Sequence, residues 1–184
     1  DQLVVVQTIS GQSFNISLNK TPQCIDILSD GKSVIIGNST SDVSLVNLET
    51  KTVQKNFMLN CVPYDIVAGN NGWCYIAPQG NSWLNLRNLN LTTGELRFND
   101  NFGITQMMGS AIIKKVPGKQ LLVGTRVYTG PTGLLLFDIK RGAACDTSCY
   151  WHINPVDLWV SGNGEKLFNK SGIIYKVPGF IPTT

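Results

Sequence analysis

Four times along this chain an apolar run ends in the same way: an apolar residue, a short polar residue, another apolar residue, two free positions and a turn-forming residue. The fullest copy is Leu134-Leu135-Leu136-Phe137-Asp138-Ile139-Lys140-Arg141-Gly142. Leu89-Asn90-Leu91-Thr92-Thr93-Gly94 is a second copy, and Val46-Asn47-Leu48-Glu49-Thr50-Lys51 a third, with Lys where Gly is expected. Val6-Gln7-Thr8-Ile9-Ser10-Gly11 is the weakest, with Thr at the apolar place. The copies close at residues 11, 51, 94 and 142, at intervals of 40, 43 and 48 residues. A period in this range implies stacked supersecondary units.

Each interval resolves into short strands joined by turns. From Thr21 the pattern reads Cys24 to Leu28, an Asp30-Gly31 turn, Ser33 to Gly37, Val43 to Leu48 and Val53 to Leu59. The next unit repeats that order with Tyr64 to Val67, an Asn71-Gly72 turn, Trp73 to Ala77, Trp83 to Leu91 and Glu95 to Phe98. Alternating or continuous apolar runs of this length, bounded by Asp-Gly and Asn-Gly turns, predict antiparallel hairpins. No stretch of ten or more residues carries a helical period.

A lone four-stranded meander has two faces and cannot bury both. Standing such sheets side by side around an axis does bury them. The expected fold is therefore all-β, a β-propeller of about four to five four-stranded antiparallel blades, or a partial ring of a larger one. The expected divisions are a half blade at 1–20, blades at 21–59, 60–103 and 104–150, and a partial blade at 151–184 with no fourth strand evident. The strand count suits neither four nor five closed blades. That leaves a segment of a six- to eight-bladed protein, a small ring completed by the N-terminal strands, or an open edge that pairs with the next molecule. The chain opens with Asp1 rather than Met, which reads as a mature product or a segment of something longer.

The turn ending, together with the strands that carry Asp26, Asp65 and Asp157 before a Gly-containing turn, resembles the blade motif of YVTN-type and quinoprotein-like propellers. The Gly-His and Trp-Asp signatures of WD repeats and the Gly-Gly pairs of kelch repeats are absent. The resemblance spans nearly the whole chain and implies architecture rather than activity.

The 184 residues carry 15 basic and 12 acidic side chains, a net charge of +3. The basic residues are scattered, apart from the pairs Lys114-Lys115 and Lys140-Arg141, so no nucleic-acid footprint is visible. No run approaches the ~20 apolar residues that span a bilayer. Charged residues make up 15% of the chain, with Asn, Ser, Thr and Gly in their place. That composition suits a secreted surface kept soluble by glycans. Sequons lie at Asn15, Asn38, Asn90 and Asn169, and a fifth at Asn19 is compromised by Pro22. Cys145 and Cys149 are spaced for a small local disulfide, while Cys24, Cys61 and Cys74 read as buried side chains. Together these features point to an extracellular or cell-surface setting.

The search for chemistry turns up little. His152 is the only histidine, which excludes a histidine-rich metal cluster, and its neighbours suggest a strand start. No Walker or dinucleotide motif is present. Asp26, Asp65 and Asp157 recur once per blade. They fit a cation site on the axis, or, more simply, carboxylates that accept backbone N–H bonds from their own turn or a neighbouring blade. Trp73, Trp83, Trp151 and Trp159 are divided between core packing and a sugar- or protein-binding face. The expectation is a non-catalytic extracellular propeller with no cofactor, no metal and no catalytic residue. It would serve a structural, adhesion or recognition role toward a protein or glycan ligand, with self-association into a glycosylated surface filament as a variant. The alternative is part of a propeller enzyme, a quinoprotein-like dehydrogenase or lyase, whose active site lies outside this segment.

Overall fold

The computed structural model describes residues 1–98, 107–126, 133–151 and 157–182. His152 and most of the Gly/Pro loop at 129–133 lie outside them. The described residues form twenty strands and no helix. A hairpin, β1 (Gln2–Val6) and β2 (Ser13–Ser17), comes first. The first four-stranded sheet follows: β3 (Pro22–Ile27), β4 (Ser33–Asn38), β5 (Asp42–Asn47) and β6 (Thr52–Met58), paired in that order.

The second sheet takes β7 (Pro63–Ala68), β8 (Trp73–Pro78), β10 (Arg87–Asn90) and β11 (Leu96–Phe98). The stretch read from sequence as one strand, Trp83 to Leu91, is divided. Its first part, β9 (Trp83–Leu84), leaves the sheet and pairs with β12 (Met107–Met108). The break falls where Leu86 turns into the core and the Arg87 guanidinium donates to the Asn85 carbonyl at 2.5 Å. The third sheet is β13 (Ile113–Lys115), β14 (Leu121–Arg126), β15 (Gly133–Asp138) and β16 (Cys145–Trp151). The fourth is β17 (Leu158–Val160), β18 (Lys166–Asn169), β19 (Ile174–Lys176) and β20 (Ile181–Pro182). That last strand was not evident in the sequence. It is an outer edge, where a proline removes no ladder bond.

The core is divided into four apolar layers, each between successive sheets. Leu3, Val5, Phe14 and Ile16 of the hairpin meet Val34, Ile36 and Val46 of the first sheet. Ile35, Val43 and Phe57 meet Ile66, Cys74 and Ile76 of the second. Trp73, Tyr75 and Leu86 meet Leu122, Leu135 and Phe137 of the third. Leu134 and Leu136 meet Leu167, Tyr175 and Phe180 of the fourth. Neighbouring residues of one strand therefore serve opposite layers: Ile35 against Val34 and Ile36, Leu135 against Leu134 and Leu136. A strand covered on both faces needs apolar residues at every position rather than at alternate ones. This is why the middle strands read as continuous apolar runs.

The repeated ending is the turn between the third and fourth strands of the first three four-stranded sheets, and the turn of the N-terminal hairpin. Gly11, Lys51, Gly94 and Gly142 all sit in the left-handed region, at φ of 70°, 58°, 79° and 104°. Asn47 Oδ1 accepts the Glu49 and Thr50 N–H groups, both at 2.8 Å. Asn90 Oδ1 does the same for Thr92 and Thr93 at 2.9 and 3.0 Å, and Asp138 Oδ1 accepts Lys140 N–H at 2.7 Å. The short polar residue thus closes an Asx turn, and the last position needs a positive φ. Lys51 adopts that conformation without being glycine, and its ammonium lies 4.4 Å from the Phe14 ring centre. By this match β1 and β2 occupy the third and fourth positions of a sheet. Their outward face leaves Val4 and Val6 more than half exposed, at 54% and 57%, whereas β5, β10 and β15 are buried or nearly so throughout.

Candidate functional site at the hub

The first strands of the four sheets, β3, β7, β13 and β17, lie next to one another in that order. Between them is an open cleft of about 550 Å³, lined among others by Gln23, Ile25, Tyr64, Asp65, Lys114 and Trp159. The recurring aspartates belong to this inner ring, and two of them, Asp26 and Asp65, accept backbone N–H groups as the simpler reading of the sequence expects. Asp26 Oδ1 accepts Ile27 N–H at 2.9 Å, and its Oδ2 accepts Ala68 N–H of the second sheet at 2.7 Å. Asp65 repeats the arrangement one sheet on: Oδ1 accepts Ile66 N–H at 3.0 Å and Oδ2 accepts Ile113 N–H of the third sheet at 2.9 Å. Each carboxylate ties its own inner strand to the next. Asp157 lies 3.6 Å from the Lys170 ammonium in an ion pair within the fourth sheet's part of the chain.

Electrostatics at the hub are locally balanced. The Lys114 ammonium lies 3.3 Å from Asp65 Oδ2. Burial nevertheless raises the Asp65 carboxyl above the usual carboxylate range, with Lys114 and the Ile113 and Ile66 N–H groups pulling the other way. Cys24, which also lines the cleft, is pushed up to about 12, first by burial and then by the charge of Asp65. It stays a thiol at neutral pH and is a poor nucleophile there. Among the described residues no three His, Cys, Asp or Glu side chains converge as a metal site.

The tryptophans separate. Trp73 is buried in the layer between the second and third sheets, against Gly142, where an added Cβ would come within 2.7 Å of the indole Nε1. Trp83 lies on β9, and the side chain of Trp151 is outside the described set. Trp159 is 54% exposed and Tyr64 43%, and both line the cleft. Tyr64 and Gln23 were not singled out in the sequence as site residues, and Lys114 entered only as half of the basic pair Lys114-Lys115. The available signal was positional, since Tyr64 immediately precedes the recurring Asp65 on a hub strand.

Two expected features are corrected. Cys145 and Cys149 lie four residues apart on the single extended strand β16, not on a loop that would bring the two together. At the ~3.3 Å rise of a strand their Cα atoms are roughly 13 Å apart, beyond the ~7 Å a disulfide spans. Two of the four sequon asparagines are buried. Asn38 is 1% exposed and donates from Nδ2, the glycan-accepting atom, to Ser44 Oγ at 2.9 Å. Asn169 is 4% exposed, and its Oδ1 accepts Ile173 N–H at 2.9 Å. Asn90 is half-buried in its Asx turn, and Asn15 is exposed on the outward face of β2.

No protein-family model and no curated protein sequence matches the chain. Solved structures do. A chain of Kuenenia stuttgartiensis hydrazine synthase is similar over 100% of this chain and 52% of its own length, with a TM-score of 0.71 and 15% identity. The β-propeller domain of Myceliophteria thermophila Cps50 (Swd1) is similar over 90% of this chain and 55% of its own, with a TM-score of 0.65 and 12% identity. At such identities the likeness is one of fold. The chain has the β-propeller architecture and spans about half the length of these two structures.

Proposed function

We propose that this chain is a non-catalytic propeller domain that recognises a protein or glycan ligand at its hub, in an extracellular or cell-surface setting. The observation that carries the reading is the division of labour on the inner strands. The carboxylates of Asp26 and Asp65 are engaged in backbone bonds between sheets, while Tyr64 and Trp159 present large rings to the cleft. Convergent rings beside a few polar groups suit binding better than acid–base chemistry. The turn motif extends the reading to a YVTN-type or quinoprotein-like ancestry. The secreted setting is supported by the exposed Asn15 sequon and the sparse charge.

Peptide mapping of the protein made in a secretory eukaryotic host tests the setting. The expected result is N-glycan on Asn15 and none on Asn38 or Asn169. Secreted protein with Asn15 bare contradicts it. The site is tested by immobilising the protein and measuring its adhesion to a cell-surface glycoprotein preparation. Tyr64→Ala and Trp159→Ala are expected to abolish adhesion with the fold intact, and adhesion unchanged in both variants contradicts the reading.

A second reading is a segment of a propeller enzyme, favoured by the match to part of hydrazine synthase. It predicts that a longer polypeptide containing these residues carries a cofactor or catalytic group elsewhere. A filament subunit is favoured instead by the outward apolar face of the hairpin at Val4 and Val6. On that reading Val4→Lys leaves only single particles in electron micrographs.

A further inference from the structure

The hub cleft also constrains what its ligand is made of, and the following rests on the reading of the hub as the recognition site. We infer that the cleft takes a neutral oligosaccharide, with sugar rings laid against Tyr64 and Trp159. The two aromatic rings belong to β7 and the β17 strand two positions further round the ring, and the intervening inner strand contributes Lys114. The molecule buries Trp73, Tyr75 and Phe137, yet leaves these two rings exposed at the cleft. An exposed ring at a cleft offers a flat apolar surface that is stabilised when a ligand covers it.

The rest of the lining is mixed, with Cys24, Ile25, Ile112 and Leu158 beside polar side chains. The Gln23 carboxamide can both donate and accept, Asp157 accepts, and Lys114 donates. A purely apolar ligand would strip these groups of water without replacing their hydrogen bonds. A strongly charged ligand would have to compete with existing ion pairs, because Lys114 is paired with Asp65 and Asp157 with Lys170. A sugar matches both parts: its C–H face covers an aromatic ring while its hydroxyls donate to carboxylate and amide oxygens and accept from the ammonium. The cleft of about 550 Å³ lies within the range of small-ligand sites, which run from about 300 to 1,000 Å³.

The test uses the whole chain. Its binding is measured to free neutral oligosaccharides of two to four hexose or N-acetylhexosamine units, and to an immobilised N-glycosylated glycoprotein before and after enzymatic glycan removal. The expected result is binding to the oligosaccharides and to the intact glycoprotein, lost on glycan removal. Trp159→Ala and Tyr64→Ala should each weaken it at least about tenfold, the loss expected from a stacked ring, and Trp159→Phe should restore most of it. Both side chains are about half exposed, so the variants should stay close to the parent's thermal midpoint; if either does not, Gln23→Ala serves in its place. Binding that survives glycan removal yet is lost in Trp159→Ala overturns the saccharide while leaving the hub as the site. Saccharide binding indifferent to all three positions overturns the hub reading and this inference together. No saccharide binding at all overturns the inference.

Discussion

Replacing Asp65 with alanine is expected to destabilise the protein by about 2–3 kcal/mol, the cost of a buried donor left without an acceptor. Ile113 is fully buried, and its N–H points at Asp65 Oδ2 from the neighbouring sheet at 2.9 Å. Alanine removes that acceptor, the acceptor for Ile66 N–H and the partner of Lys114 at once. Denaturant unfolding measures the loss. It should exceed that of Lys114→Ala, which removes only a half-exposed ion pair. Such pairs contribute at most about 1 kcal/mol.

The effect also carries a pH signature. Burial raises the Asp65 carboxyl in the folded protein above its value in the unfolded chain. Between those two values the folded state holds a proton that the unfolded state has released. Stability from this site is therefore fully present below the unfolded carboxylate value and falls as pH rises through the folded one. The gap between wild type and Asp65→Ala should be wider in mild acid than at neutral pH. A gap that widens toward neutral pH would reverse the sign of this argument.

Phe137→Ala is expected to cost more, about 3–5 kcal/mol, as for large aromatic truncations in closed cores. Phe137 is fully buried in the third strand of the third sheet and projects into the layer shared with the second. The surrounding layer cannot collapse easily onto the void. Just beyond Phe137 the turn is fastened to the second sheet by Tyr75 Oη donating to Gly142 O at 2.6 Å and Asn71 Nδ2 donating to Ile139 O at 2.7 Å. At about 2–4 °C per kcal/mol for a chain of this size, the thermal midpoint should fall on the order of 10 °C. A change of a degree or two would mean that the layer between these sheets is not close-packed.

The periodic turn was readable in the sequence because it rests on local chemistry. An Asx residue, a buried apolar residue and a left-handed closing position leave a fixed spacing of residue types. The middle strands were equally readable, since burial on both faces removes the alternation of polar residues. Tertiary placement was not. Asn38 satisfies a sequon as well as Asn15 does, and only the register of β4 against β5 turns it onto Ser44. Cys145 and Cys149 look like a loop until β16 is seen to be extended. The aspartates recur at one position in three of the four sheets, a pattern that fits a cation on the axis as well as a bond to the next sheet. Tyr64 carried no motif at all, because its exposure follows from where β7 lies around the axis.

Amide hydrogen exchange at Ala68 and Ile113 tests most directly whether the recurring carboxylates join one sheet to the next. Both N–H groups should exchange slowly in the parent protein. Ala68 should speed up selectively in Asp26→Ala and Ile113 in Asp65→Ala, with the ladders β4–β5 and β14–β15 unchanged. Fast exchange in the parent, or protection that survives loss of the carboxylate, would contradict the account.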